Sequence, residues 1–246
     1  NYVDFYFILF FFEENVHQFL NNQFAYLISD TSYIEILYSR INEYFDNGKY
    51  ADVNIVCQNQ IFQCHRLILA AGSKYFEALF SDNSVKDIAL HNLDSLAFGK
   101  ILQVFYKGNI TTFITELNDD NVYNLLHASE ILQVDTVQNQ CILYLTECNV
   151  PVKYAVKIFK LGNSIQNKSI MLSASQVILQ NSNCITKSSD FPNISFEEMS
   201  KLITYFQPTS LRKEYASFMI IFQWVSTCCH KDKRSSFLKL TENIYA

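Results

Sequence analysis

Glycine and proline are nearly absent, with five glycines and three prolines among 246 residues. That excludes a collagen-like repeat, a Gly/Ser linker or a proline-rich tail, and favours many helices joined by short links. Charge is sparse too. Charged residues make up 17% of the chain against 49% apolar, which excludes a disordered tail and requires a well-filled interior. The formal net charge is -5, and no stretch concentrates Lys and Arg. The densest, Lys231-Asp232-Lys233-Arg234, is interrupted by an acid and reads as a solvated helix end. Binding phosphates needs a clustered excess of cations, so a nucleic-acid surface is excluded.

No two of the seven cysteines, Cys57, Cys64, Cys141, Cys148, Cys184, Cys228 and Cys229, have the C-x-x-C spacing that clamps zinc. Cys228-Cys229-His230 cannot serve instead, because adjacent residues on a helix point in different directions. An odd set of free thiols belongs in a reducing compartment, so the expected location is the cytoplasm or the nucleus. A membrane-spanning run is missing as well. The longest apolar stretch, Phe5-Tyr6-Phe7-Ile8-Leu9-Phe10-Phe11-Phe12, is far short of the roughly 20 residues a bilayer needs. It is flanked by Asp4, Glu13 and Glu14, unlike the basic start of a signal peptide. The sequence opens on Asn1 rather than Met, which leaves the natural start open. Residues 1–34 are set apart as an apolar N-terminal segment with no assigned function.

What the chain does have is periodicity. Ile41, Tyr44 and Phe45 give a short helix over residues 38–45, stopped by Asp46-Asn47-Gly48. Val53, Ile55 and Cys57 then alternate, and Gln58-Asn59-Gln60 separates them from Ile61-Phe62-Gln63-Cys64. The pattern is a hairpin. From His65 the period turns helical, with Leu67, Ile68, Ala70 and Ala71 closed by Gly72. A second short helix over 73–80 carries Tyr75, Phe76, Leu79 and Phe80. Ile88-Ala89-Leu90 reads as a third strand, Asp94-Ser95 as the cap of a helix ending at Tyr106-Lys107-Gly108. Helices are expected over 119–129 and 134–145. Beyond Cys148 only helical spacing appears, over 152–161, 164–179, 196–206, 211–229 and 234–244, with a capping box at Ser195-Phe196-Glu197-Glu198. The expected fold class is therefore α+β, a small sheet with surrounding helices, followed by an all-α part.

Residues 51–80 make the reading specific. Ala51-Asp52-Val53-Asn54-Ile55-Val56 and then Cys64-His65-Arg66-Leu67-Ile68-Leu69-Ala70-Ala71-Gly72-Ser73-Lys74-Tyr75-Phe76-Glu77-Ala78-Leu79-Phe80 resemble the BTB (POZ) domain family. Its marks are an Asp-Val opening a strand, a His-Arg/Lys-x-x-Leu-Ala helix and a Ser-x-x-Phe-x-x-Leu/Met-Phe helix. Phe98, Ile101-Leu102 and Phe105-Tyr106-Lys107-Gly108 fit its next helix, and Leu125-Leu126-His127-Ala128-Ser129 the one after. The remainder resembles a BACK domain, through Cys148-Asn149-Val150, Asp190-Phe191, Ser195, Leu202, Glu214, Phe222-Gln223-Trp224-Val225, Arg234, Leu238 and Leu240. The resemblance implies a BTB/POZ domain over 35–147 and a BACK domain over 148–246, in the manner of kelch-like adaptors but without kelch repeats in this chain.

That resemblance also implies sites. Dimerisation through the BTB half is expected to use Ile41, Tyr44, Phe45, Asp52 and Arg66. Asp52 and Arg66 stand either as an acid–base pair at the dimer interface or as a turn-capping Asp beside an exposed Arg. Tyr75, Phe76, Leu79, Phe80, Val85 and Asp87 would face a cullin-three scaffold, although the four on the helix are also its core stripe. His65 is expected to be structural, hydrogen-bonded to backbone, and Trp224 a core anchor.

No nucleophile with its base, phosphate cradle or metal set is legible, and the five histidines are scattered. The chain is therefore expected to be no enzyme and to need no cofactor. Its partners would be a second copy of itself, the cullin-three scaffold and an unidentified protein substrate, with no nucleic acid and no membrane. The function expected is that of a substrate adaptor for a cullin-three RING ubiquitin ligase. The alternative is a BTB scaffold, transcriptional cofactor or decoy that delivers no substrate. The segment after Phe80 separates them. Cullin-binding relatives carry a hydrophobic residue, any residue, then Glu, whereas this chain reads Ser81-Asp82-Asn83-Ser84-Val85-Lys86-Asp87.

Overall fold

The computed structural model describes residues 33–81, 87–148, 150–206, 211–227 and 237–241. Several sequence readings lie outside these residues: the apolar run at 5–12, the anchor assigned to Val85, Cys228-Cys229-His230, the basic stretch at 231–234 and most of the last helix.

Helix α1 occupies residues 33–46 and ends in a turn where Gly48 and Tyr50 take φ of +62° and +63°. Strands β1 (Val53–Cys57) and β2 (Gln60–Cys64) then pair antiparallel, Val53 opposite Cys64 and Cys57 opposite Gln60. The two-residue connection puts Gln58 at φ +52°, which matches the hairpin expected from the polar interruption. Strand β3 (Asp87–Leu90) lies parallel to β1, so the sheet order is β2-β1-β3. A parallel neighbour needs a crossover, and α2 (Arg66–Gly72) and α3 (Lys74–Leu79) supply it. Alternation decides the buried face. Val53, Ile55, Cys57, Ile88 and Leu90 all point inward.

Helix α4 (Ser95–Lys107) lies against this sheet, with Phe98, Ile101, Leu102 and Tyr106 fully buried. Asp94 caps its start by accepting from the Ala97 N–H at 2.9 Å. Gly108 ends it at φ +62°, and a Cβ there would lie 2.8 Å from the Tyr38 ring. Glycine is thus required both by the left-handed turn and by the close approach of α1.

Two helices have no counterpart in the sequence reading, the next one and a single turn at Ser182–Ile185. Helix α5 (Ile110–Thr115) is short and β-branched, a composition that favours strands. It forms because Asn109 accepts from the Thr112 N–H at 3.1 Å and Phe113 is buried beneath it. Helices α6 (Val122–Leu132) and α7 (Asp135–Glu147) follow, each starting and ending slightly later than the periodicity suggests.

After Pro151 every regular element among the described residues is a helix or a 3-10 turn. A 3-10 turn (Val152–Tyr154) leads into α8 (Ala155–Ser164) and α9 (Lys168–Gln180). Sequence spacing runs a single helix from 164 to 179. The structure instead carries α8 through Ser164 and starts the next helix at Lys168, so the break expected at 162–163 falls at 165–167. Gln166 takes φ +55°, and Asn167 caps the new start through the Ile170 N–H. A four-residue turn, α10 (Ser182–Ile185), precedes α11 (Phe196–Thr204), whose capping box is formed as expected: Ser195 Oγ accepts from the Glu198 N–H, and Glu198 Oε2 accepts from the Ser195 N–H. Helix α12 (Leu211–Thr227) buries Trp224, whose Nε1–H donates to the Ile194 carbonyl at 3.0 Å. That is the core anchor expected. Residues 237–241 form a last helical turn with Leu240 buried. One continuous apolar core runs from Val53 to Leu240 through both halves.

Candidate interaction surfaces

Helix α1 is amphipathic, with Glu35, Ser39, Asn42, Glu43 and Asp46 on one side and its apolar residues on the other. Ile41 and Phe45 pack partly against the core, and Phe45 stacks on Tyr106 at 4.1 Å between ring centroids. Tyr44 meets Tyr50 edge-on at 5.2 Å. These three residues, expected to face a second copy, therefore spend much of their surface docking α1 on its own domain. The exposed apolar face lies a turn or two earlier. Tyr33 and Ile36 are 68% and 53% exposed, and Ile34, Leu37 and Tyr38 lie on the same helix with large exposed areas. The signal was present in the sequence, because the helical period continues upstream of residue 38 through these five side chains.

Asp52 and Arg66 do meet, but through the backbone. Asp52 Oδ1 accepts from the Arg66 N–H at 2.8 Å. Arg66 is the first residue of α2, and His65 at the N-cap makes no side-chain cap bond. Asp52 therefore caps α2 from across the hairpin, satisfying one of the amides a helix start leaves open. It is exposed in the single chain. This is the turn-capping reading of Asp52. The Arg66 guanidinium lies over the Phe80 ring at 5.2 Å.

His65 is held as expected of a structural residue. Its Nε2 lies 2.8 Å from the Lys49 carbonyl, which can only accept, so Nε2 carries the proton. Nδ1 lies 3.0 Å from the Tyr106 hydroxyl, and the same hydroxyl accepts from the His65 backbone N–H at 2.9 Å. Burial, before any other cause, raises the Tyr106 hydroxyl pKa above its ordinary value and pushes the neighbouring Cys64 thiol up to about 12. Both groups stay neutral, and the cluster ties β2, α4 and the turn after α1 together.

The second surface lies at the end of α3. Ser73 starts the helix by accepting from the Phe76 N–H, and its hydroxyl donates to the Leu132 carbonyl at 2.5 Å, fixing α3 on the end of α6. Phe76 is fully buried and stacks with Phe80 at 5.7 Å. A partner cannot reach it, so Phe76 is removed from the set of scaffold-facing residues. Tyr75, Leu79 and Phe80 are half-buried at the rim of the core. Asp87 begins β3, exposed, and accepts from Asn54 Nδ2 at 2.9 Å. The helix end and the start of β3 thus stand on either side of residues 82–86.

Among the described residues no group of three or more His, Cys, Asp and Glu side chains could hold a metal ion, and no helix is long and apolar enough to cross a membrane. A cavity of about 200 Å³ lies between α4 and α5, lined by Lys100, Val104, Lys107, Asn109, Phe113 and Glu116 among others. It is smaller than the roughly 300–1,000 Å³ that usually encloses a small-molecule ligand.

The described residues thus form a small mixed sheet wrapped by helices and continued by a helical array, with exposed apolar side chains on α1. The comparisons give the class. The sequence model of the family described as "BTB/POZ domain" matches residues 41–149, and that described as "BTB And C-terminal Kelch" (BACK) matches residues 155–243. The chain carries a BTB/POZ domain followed by a BACK domain. Its relatives are kelch-like proteins. Kelch-like protein 40 of Xenopus laevis is 26% identical over 207 residues, covering 82% of this chain and 32% of the relative. Kelch-like protein 21 of Danio rerio is 28% identical over 200 residues, covering 80% and 32%. The chain thus spans about a third of the length of these relatives. Among solved structures, the BTB domain of human gigaxonin matches at 20% identity and a TM-score of 0.40, over 46% of this chain and 91% of that one.

Proposed function

We propose that the chain is the BTB–BACK part of a substrate adaptor for the cullin-three RING ubiquitin ligase. A BTB half would dimerise through the face bearing α1, the end of α3 would dock the cullin scaffold, and the BACK half would hold a protein substrate at a set distance. Such an adaptor works by proximity, since holding substrate beside the ligase raises its effective concentration. The observation that carries this reading is the joining of the two domains in one chain around one core. The exposed apolar face of α1 supports dimerisation, because a contiguous patch of this kind marks an interaction site. Buried free thiols at Cys57, Cys64 and Cys141 suit a reducing compartment, in keeping with a cytoplasmic or nuclear location.

One observation favours a second reading, in which the module is a scaffold, cofactor or decoy. The segment after Phe80 lacks the hydrophobic-x-Glu pattern of cullin-binding relatives and offers only Val85-Lys86-Asp87. Light scattering of the chain mixed with a purified cullin-three N-terminal domain separates the two. The adaptor reading expects a mass of two chains plus two cullin domains. The same mass with and without cullin would favour the scaffold.

A further inference from the structure

The BTB and BACK halves meet where α7 packs on α9 and α6 on α8, and the polar and ring contacts along α6 and α8 come in a definite order. At one end Lys153 forms an ion pair with Asp120. Next come three rings in a column. Tyr123 and His127, one turn apart on α6, are near-parallel at 5.9 Å, and Tyr123 stacks across the seam on Tyr154 at 5.1 Å and 23°. Lys157 of α8 places its ammonium 5.6 Å from the Tyr123 ring centroid and Lys153 places its own 4.7 Å from that of Tyr154, so both rings are also held by cations. At the other end Ser164 Oγ donates to Glu130 Oε1 at 2.8 Å. Residue numbers rise together on the two sides, so α6 and α8 run side by side in the same direction. The ring column and the packing of α7 on α9 are separate attachments between the halves, and two attachments resist rotation where one would act as a pivot.

The Ser164–Glu130 bond and the Lys153–Asp120 pair are exposed and contribute little against solvent. The rings are different. Tyr123 and Tyr154 are half-buried and packed on the shared core, where stacking adds to the gain from burial. We propose that Tyr123 and Tyr154 are positioning residues that lock the angle between the BTB and BACK halves, making the module a fixed-angle arm. This deepens the adaptor reading, for which a fixed angle sets the distance at which a substrate is held, but its test uses the chain alone and needs no cullin.

Hydrogen–deuterium exchange read by mass spectrometry, with small-angle scattering on the same samples, tests it in Tyr154→Ala, Tyr154→Leu and Tyr154→Phe. Leu keeps the apolar bulk and removes the stack; Phe keeps the stack. The lock predicts that α8 peptides of the Ala and Leu variants exchange about tenfold faster, that β1 and α12 peptides are unchanged, and that the maximum dimension increases. Tyr154→Phe should match the wild type. Wild-type exchange and scattering in Tyr154→Leu would overturn the proposal. So would a rise in exchange that is uniform over the whole chain in that variant, since the ring would then be ordinary core.

Discussion

Replacing Asp52 separates its two readings by size. If the carboxylate were one half of a charge pair buried between two copies, Asp52→Asn would strand Arg66 and cost about 3–5 kcal/mol. In the structure Asp52 is exposed, and its oxygen accepts the Arg66 N–H at 2.8 Å from outside the helix it caps. An amide oxygen can accept the same bond, so Asp52→Asn loses only the favourable placement of negative charge at the start of α2, about 0.3–1 kcal/mol. Asp52→Ala loses the bond itself. Helix α2 has no side-chain cap of its own at His65, so about 1 kcal/mol should go, within the range for lost caps. Water reaches the freed amide, which keeps the loss toward the lower end. Urea denaturation followed by circular dichroism on the three proteins gives the ordering wild type, Asn, Ala. A loss of 3 kcal/mol or more in Asp52→Asn would refute the capping assignment, as would no loss in Asp52→Ala.

Other expectations follow from burial and exposure. Phe76→Ala should destabilise by about 3–5 kcal/mol in a melt, because it empties a fully buried ring site; a loss under 1 kcal/mol would contradict the packing. Ile36→Asp with Leu37→Asp should convert a dimer to a folded monomer by light scattering, since both side chains are largely exposed in the single chain. Iodoacetamide at pH 8 should label Cys148 and Cys184, which are exposed, and spare Cys64 and Cys141 in the folded protein. Burial pushes each of those two thiols from about 9 up to about 12, so only about one in 10⁴ is thiolate at that pH. A folded-state pKa above the unfolded one means the stabilisation is complete below pH 9 and is lost as pH rises toward 12. Each thiol should therefore remove roughly 1 kcal/mol by pH 10, and a flat stability profile over pH 8–10 would count against their burial.

The parts of the fold legible in the sequence are those where one local signal decides. The hairpin, α4 and the capping box at Ser195 each carry their own pattern and form at the expected places. Helix α5 was hidden because Ile110, Thr111, Thr112, Ile114 and Thr115 are all β-branched, and the burial of Phe113 outweighs their preference. The break before α9 was expected at 162–163 and falls at 165–167, because a glutamine, not a glycine, takes the left-handed conformation at 166 and gives no sequence mark of the turn. Of the interaction residues, Tyr75, Leu79 and Phe80 could be placed on one helix, but periodicity alone does not tell a rim residue from a core one, and Phe76 falls on the core side. The cap from Asp52 to α2 joins residues fourteen apart, a pairing only the folded hairpin creates.

The adaptor account rests on contact with the cullin scaffold, and calorimetric titration of the chain with a purified cullin-three N-terminal domain measures that contact directly. The account predicts saturable heat at tens of micromolar, unchanged by Ile61→Ala on the exposed face of β2 and weakened at least tenfold by Leu79→Asp at the end of α3. No heat for the wild type would contradict it and leave the scaffold reading standing.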